Sequence, residues 1–129
     1  DRIFLLCFAV ERLADQSFVK PLQELLNKPY LNGYVCKNAV DGRGNYASAF
    51  LEMALARTLA RCGSPAGGLI LAEYLEDVRK VLASHAYNEL KEITAQDFGK
   101  NSAPWKRWLE EQTSLNINSF QKSNLLYRE

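Results

Sequence analysis

The residues best suited to chemistry in this sequence are few and scattered. His85 is the only histidine, and Cys7, Cys36 and Cys62 lie far apart along the chain. A zinc site or a Ser-His-Asp relay needs several such groups within reach of one another. Ser84 does not supply one, because neighbours on a helix point about 100° apart. We therefore predict that His85 lies at the edge of a packed helix, and pairing of its imidazole with a cysteine thiol stays as the alternative.

The cysteines are odd in number, so they do not form a complete disulfide framework. Free cysteine packs as a small hydrophobic residue. We predict three buried free thiols, and a single disulfide between two of them is the alternative.

A glycine-rich segment, Gly42 to Ala47, matches the dinucleotide-binding pattern G-x-G-x-x-A. That pattern works only between a strand and a helix above a parallel sheet, and the preceding residues make a poor strand. We interpret the segment as a loop turn. As the alternative, Arg43 and the free N–H groups at the start of the next helix hold a small anion. A calcium loop running from Asp41 to Glu52 fails, because Arg43 and Tyr46 stand where an oxygen ligand and the turn glycine belong.

Three tyrosines and one arginine are the candidate binding residues. Aromatic and arginine side chains often anchor protein interfaces. The candidates are Tyr30, Tyr34, Arg43 and Tyr74. The competing interpretation is that the tyrosines fill the seam beneath a loop.

The amino-acid composition limits the classes of binding partner that we expect. The chain has 129 residues, 47% of them hydrophobic, with 16 basic and 15 acidic side chains. Nucleic-acid binding usually shows as a clustered basic excess, and a membrane span needs roughly 20 apolar residues in a row. We expect neither partner and no cofactor, and the composition favours a soluble, cytoplasmic protein. The start at Asp1, without methionine or a signal-like opening, suggests a piece of a longer protein.

Apolar residues recur at helical spacing over most of the chain. The first helix has a predicted stripe of Ile3, Leu6, Val10 and Leu13, and the second, capped by Ser17, has Val19, Leu22, Leu25 and Leu26. The third runs from about Ala47 to Arg61. Gly63 and Ser64-Pro65 then separate it from the fourth, which carries Leu69, Ile70, Tyr74 and Leu75. The fifth has Val78, Leu82, Ala86, Leu90 and Ile93, and a short sixth has Trp105 and Trp108 at the end of the core.

We expect these helices to pair first with second, third with fourth and fifth with sixth. Neither member of a pair can bury its stripe alone, and stacked pairs share a core. We predict an all-α fold, a short α-α superhelix of about three stacked helical hairpins. It spans residues 1–112 with a loop insertion at 30–45, and 113–129 form a C-terminal tail.

Some of these residues resemble the HEAT-repeat family. Asp77-Val78-Arg79, followed by Ala83, Ala86, Leu90 and Ile93, is similar to the first-helix signature of a HEAT repeat. Residues 55–75 and 6–26 resemble two further copies, and residues 93–99 with Trp105 and Trp108 are similar to the closing phrase of many bacterial HEAT-like domains. The insertion at 30–45 and the single Asp-x-Arg pair depart from the family pattern. The resemblance implies a domain attached to larger bacterial proteins, including flavin-dependent oxidoreductases.

We therefore predict a non-catalytic domain that binds another protein or the remainder of its own chain. It would present the shorter helices and the 30–45 loop. The alternative is an accessory or substrate-facing domain of an enzyme, in which the glycine-rich loop closes over an anionic ligand near Arg43.

Overall fold

The computed structural model describes residues 2–38 and 46–112, which form six α-helices and two short 3-10 turns. The helices are α1 (Arg2–Leu13), α2 (Val19–Leu26), α3 (Tyr46–Arg61), α4 (Pro65–Tyr74), α5 (Lys80–Thr94) and α6 (Ser102–Glu110), and the 3-10 turns are Gln16–Phe18 and Pro29–Leu31. The predicted all-α class is confirmed. Arg43, most of the glycine-rich segment and the tail at 113–129 lie outside the described residues.

Helix α3 lies at the centre of the fold. It makes its most extensive contact with α4 and also packs against α1, α2 and α5, while α4 in turn contacts α5 and α6. One apolar cluster lies among α3, α4, α5 and α6, and a second lies among α1, α2 and α3. Of the three predicted helical pairs, only α3–α4 is among the extensive contacts of the described residues. The structure thus gives six helices packed against one another, and the superhelical stack stays a prediction.

The turn between α3 and α4 follows its predicted chemistry. Gly63 has a φ of 107°, a left-handed conformation that favours glycine at the end of a helix. The Ser64 side chain then accepts a hydrogen bond from the backbone N–H of Ala66, and Pro65 occupies the first turn of α4.

Small residues allow α3 and α4 to approach closely. A Cβ atom on Gly67 would overlap the carbonyl oxygen of Ala56 and lie 2.6 Å from the backbone nitrogen of Ala60. Both of these are backbone atoms of α3, so they cannot move aside as a side chain can. Gly67 weakens the first turn of α4 as an isolated helix, but it permits the close approach of the α3 and α4 backbones.

Three details of the sequence prediction are wrong. In α1, Cys7 and Val10 are buried, whereas Leu6 and Leu13, assigned to the core stripe, are 46% and 65% exposed. The helix is apolar on nearly every side, so periodicity alone does not define its inner face. Ser17 does not cap α2. Asp15 caps the 3-10 turn before it by accepting from the N–H of Ser17, and Phe18, the residue before α2, makes no side-chain cap hydrogen bond. Val78 lies before α5 and is exposed, not part of its buried stripe.

Two neighbouring glycines of α4 give a matched test of this packing. Gly67→Ala should lower the free energy of unfolding by about 3 kcal/mol, because the new methyl group meets backbone. Gly68→Ala meets only the end of the Leu109 side chain, which can rotate, so its cost should stay below about 1 kcal/mol. Urea unfolding of both variants measures the difference, and equal losses would contradict the close backbone contact.

Candidate functional site

The predicted binding residues that the structure describes differ in how deeply they are buried. Tyr74 is 1% exposed, and its hydroxyl donates a hydrogen bond to the Glu52 carboxylate. Burial, then this bond, raise the pKa of Tyr74. The Tyr74 side chain is therefore part of the buried core, and a binding role for it stays a prediction. Tyr30 is exposed, and its carbonyl accepts from the hydroxyl of the half-buried Tyr34 at 2.7 Å. Binding by Tyr30, Tyr34 and Arg43 stays a prediction.

The first part of the predicted loop is fixed to the helices by two carboxylates. Glu52 on α3 accepts from the backbone N–H groups of Gly33 and Tyr34 at 3.2 and 3.1 Å. Asp77, between α4 and α5, accepts from the N–H of Cys36 at 2.9 Å. Backbone donors of an extended segment are thereby satisfied without a strand partner. Residues 33–36 consequently form part of the scaffold.

The Asp-x-Arg pair contributes to the same attachment. Arg79 donates from its side chain to both carboxylate oxygens of Asp77 and to the carbonyl of Tyr34, at 2.7 to 2.8 Å. Burial alone would disfavour a charged Asp77. The hydrogen bonds from Arg79 and from the Cys36 N–H outweigh it, so the pKa of Asp77 lies below its usual value.

A groove between α1, α3 and α5 is a concave feature that sequence analysis missed. Its volume is about 450 Å³, within the range of ligand and peptide sites. Its lining is apolar apart from three polar side chains: Phe4, Cys7, Phe8 and Glu11 from α1; Phe50, Met53, Ala54 and Arg57 from α3; and His85 from α5. The His85 and Phe50 rings pack in a T-shaped arrangement, with centroids 5.5 Å apart. His85 thus lies at the edge of the groove and is 43% exposed.

Ion pairs connect the three helices at the floor of this groove. The Arg57 guanidinium lies 2.8 Å from Glu11 on α1 and 2.9 Å from Glu89 on α5. Arg61, one turn further along α3, lies 3.0 Å from Glu11 and 3.6 Å from Glu92. Burial raises the pKa of Glu11 despite the two arginines. Because both guanidinium groups are shared among carboxylates of α1 and α5, this cluster holds those helices in place on α3.

The part of α1 outside its buried side is apolar and exposed. We call it the outer face of α1, made of Phe4, Leu5, Leu6, Phe8 and Leu13. Leu5 is 70% exposed and Phe8 is 63% exposed. The Arg12 guanidinium lies 5.5 Å from the centroid of the Phe8 ring. Phe4 and Phe8 belong to both surfaces, so the outer face continues into the groove.

The cysteines are free and buried, as predicted. Burial raises the pKa of the Cys7 thiol, and it raises the pKa of Cys62 to about 11. The raised pKa of both thiols favours their protonated form at neutral pH. Within residues 2–38 and 46–112, no cluster of histidine, cysteine and acidic side chains has an arrangement that could hold a metal ion.

No family model matches the sequence, and no curated protein or solved structure matches the chain. Among the described helices, none combines the length and the apolar character that crossing a membrane requires.

The attachment at Asp77 makes a pH-dependent prediction. Asp77→Asn should lower the free energy of unfolding by about 2 kcal/mol at pH 7, because hydrogen bonds to a buried charged group are lost. A carboxylate with a depressed pKa in the folded state stabilises the fold above its unfolded pKa of about 3.9, and this contribution disappears as the pH falls. The difference from wild type should therefore shrink at pH 3, measured by urea unfolding.

Glu24→Gln on the exposed surface of α2 is the control for this measurement, and it should change stability little at either pH. A loss in Asp77→Asn that is the same at pH 7 and pH 3 would contradict the charged role of Asp77.

Proposed function

We propose that this chain is a non-catalytic protein-interaction domain that docks another protein, or another part of its own chain, through α1. The observation that carries the proposal is the outer face of α1, with five large apolar side chains at least 42% exposed. Together they leave on the order of 500 Å² of apolar surface exposed around the helix. Exposed apolar surface on this scale often marks interaction sites.

The support beneath this face suits a docking role. Cys7 and Val10 fix the inner side of α1 in the core, and Glu11 is bound to both Arg57 and Arg61. An apolar surface on a rigid helix loses little conformational entropy when a partner binds. The adjoining groove offers a concave region into which an apolar side chain of the partner can insert.

A relationship to HEAT-type repeats belongs to the same proposal. The α3–α4 hairpin, with its Gly63 turn, and the Asp77–Arg79 pair at the start of α5 support it. In such domains a helical pair buries its apolar side against the next pair, so an exposed outer helix is where a further element would pack.

Site-specific photo-cross-linking tests the proposed surface. A benzophenone amino acid replaces Leu5 on the outer face, Lys100 as an exposed control, or Tyr30 as a reporter of the predicted loop surface. We expect irradiation of cells of the source organism to give one predominant adduct at Leu5. Mass spectrometry should map that adduct to a single segment of one protein, because a defined interface places one segment beside residue 5.

Each position has its own outcome. Lys100 should give no such adduct. A predominant adduct at Tyr30 but not at Leu5 would move the docking surface to the loop and contradict the proposal, as would the same set of diffuse adducts at all three positions.

A further inference from the structure

We infer that Asn32 is a deamidation site that the fold protects, and that conversion of its amide to a carboxylate permanently loosens residues 30–36 from the helices. Asn32 and Gly33 form the only Asn-Gly dipeptide of the sequence. Glycine has no side chain, so it leaves its own backbone nitrogen unhindered. That nitrogen can therefore reach the amide of the preceding asparagine more easily than the nitrogen of any other residue type could.

The reaction is a substitution at the side-chain carbonyl carbon of Asn32. The Gly33 nitrogen loses its proton and forms a bond to Cγ, while the Cγ–Nδ2 bond breaks and ammonia leaves with that proton. Water then opens the resulting five-membered imide at one of its two carbonyl carbons. The product is aspartate or isoaspartate at residue 32, with one water consumed and no atom oxidised or reduced.

Contacts in the folded chain hold the two reacting groups apart. The Asn32 amide donates hydrogen bonds to the carbonyl of Leu26 at 2.6 Å and to the carbonyl of Lys28 at 2.9 Å. The N–H of Gly33 donates to the Glu52 carboxylate at 3.2 Å. The backbone of Asn32 is extended, with a ψ of 169°. This ψ places the Gly33 nitrogen trans to the Asn32 nitrogen, whereas ring closure requires it to eclipse Cβ, so the segment must detach before it can react.

The product cannot restore the same contacts. A carboxylate at residue 32 has no N–H to donate, and its oxygens would face the carbonyl oxygens of Leu26 and Lys28. Leu26 is the last residue of α2, where the helix dipole disfavours negative charge. Isoaspartate also adds a methylene group to the main chain, which displaces the next two N–H groups from the Glu52 carboxylate. Deamidation therefore weakens the attachment to both α2 and α3.

The segment that is loosened includes two of the candidate binding residues. Tyr30 and Tyr34 lie on either side of Asn32, and the Tyr34 hydroxyl donates to the Tyr30 carbonyl. A surface made of these tyrosines would consequently differ between the intact and the deamidated chain.

Peptide mapping by mass spectrometry tests the protection. The protein is incubated at mildly alkaline pH, either folded or unfolded in guanidinium chloride, in water enriched in heavy oxygen so that only conversion during the incubation is labelled. Deamidation of Asn32 should be at least about tenfold slower in the folded chain, because the segment must first open locally at a cost in free energy.

A variant that carries the product tests the loosening. Asn32→Asp should raise the equilibrium constant for unfolding in urea at least about tenfold, because two hydrogen bonds are lost and their acceptors are left without these donors. Amide hydrogen exchange at Gly33 and Tyr34 should also be faster than in wild type. Asn88→Asp makes the same chemical change on the exposed surface of α5 and should alter the unfolding constant by no more than about twofold. Deamidated wild-type protein gives the same exchange measurement if Asn32→Asp does not fold.

Three results would overturn the inference. Equal rates in the folded and unfolded chains would show that the fold gives no protection. A faster rate in the folded chain would show that the Glu52 carboxylate acts as a base for the Gly33 nitrogen and promotes the reaction. Unchanged hydrogen exchange at Gly33 and Tyr34 after conversion of Asn32 would show that the segment stays attached. The cross-linking result at Leu5 is independent of all three.

Discussion

The close contact between α3 and α4 constrains everything else in this domain. At Gly67 the two helices lie so near that a single methyl group would strike the backbone of α3. With α4 against one side, α3 must bury its other sides against α1, α2 and α5, and it does so even where it carries charge. Arg61 is 2% exposed, and its guanidinium forms ion pairs with carboxylates of the two flanking helices. The ion pairs thus follow from the central position of α3.

That arrangement explains both the groove and the exposed face. Arg57 lies between Glu11 and Glu89, so α1 and α5 are held to α3 by polar contacts at the floor and leave a cleft between their apolar walls. Helix α1 touches the core with one side only. Its remaining sides are apolar, and their exposed surface provides binding energy when a partner covers it. We therefore attribute the exposed apolar residues of α1 to partner binding and not to stability of the fold.

Local sequence patterns predicted the helices well. They could not predict contacts between residues that are distant in the sequence. The limits of α3 were predicted to within one residue, because Gly63, Ser64 and Pro65 form a strong stop and start signal. The inner face of α1 could not be chosen, since apolar residues surround the helix. Glu52 and Asp77 bind residues 33–36 across separations of 18 to 41 residues in the sequence. No local sequence pattern identifies hydrogen-bond partners at such separations. The groove depends on the same kind of long-range packing, so its residues were not identified from the sequence.

The claim that α1 presents an apolar face with no folding role can be measured directly on the isolated domain. Leu5, Phe8 and Leu13 are replaced together by glutamine, and the free energy of unfolding is determined in urea. The variant should match wild type within about 0.5 kcal/mol, as expected for exposed positions. A loss of about 2 kcal/mol or more, the value of burying one such side chain, would show that the fold itself covers this face and would contradict the account.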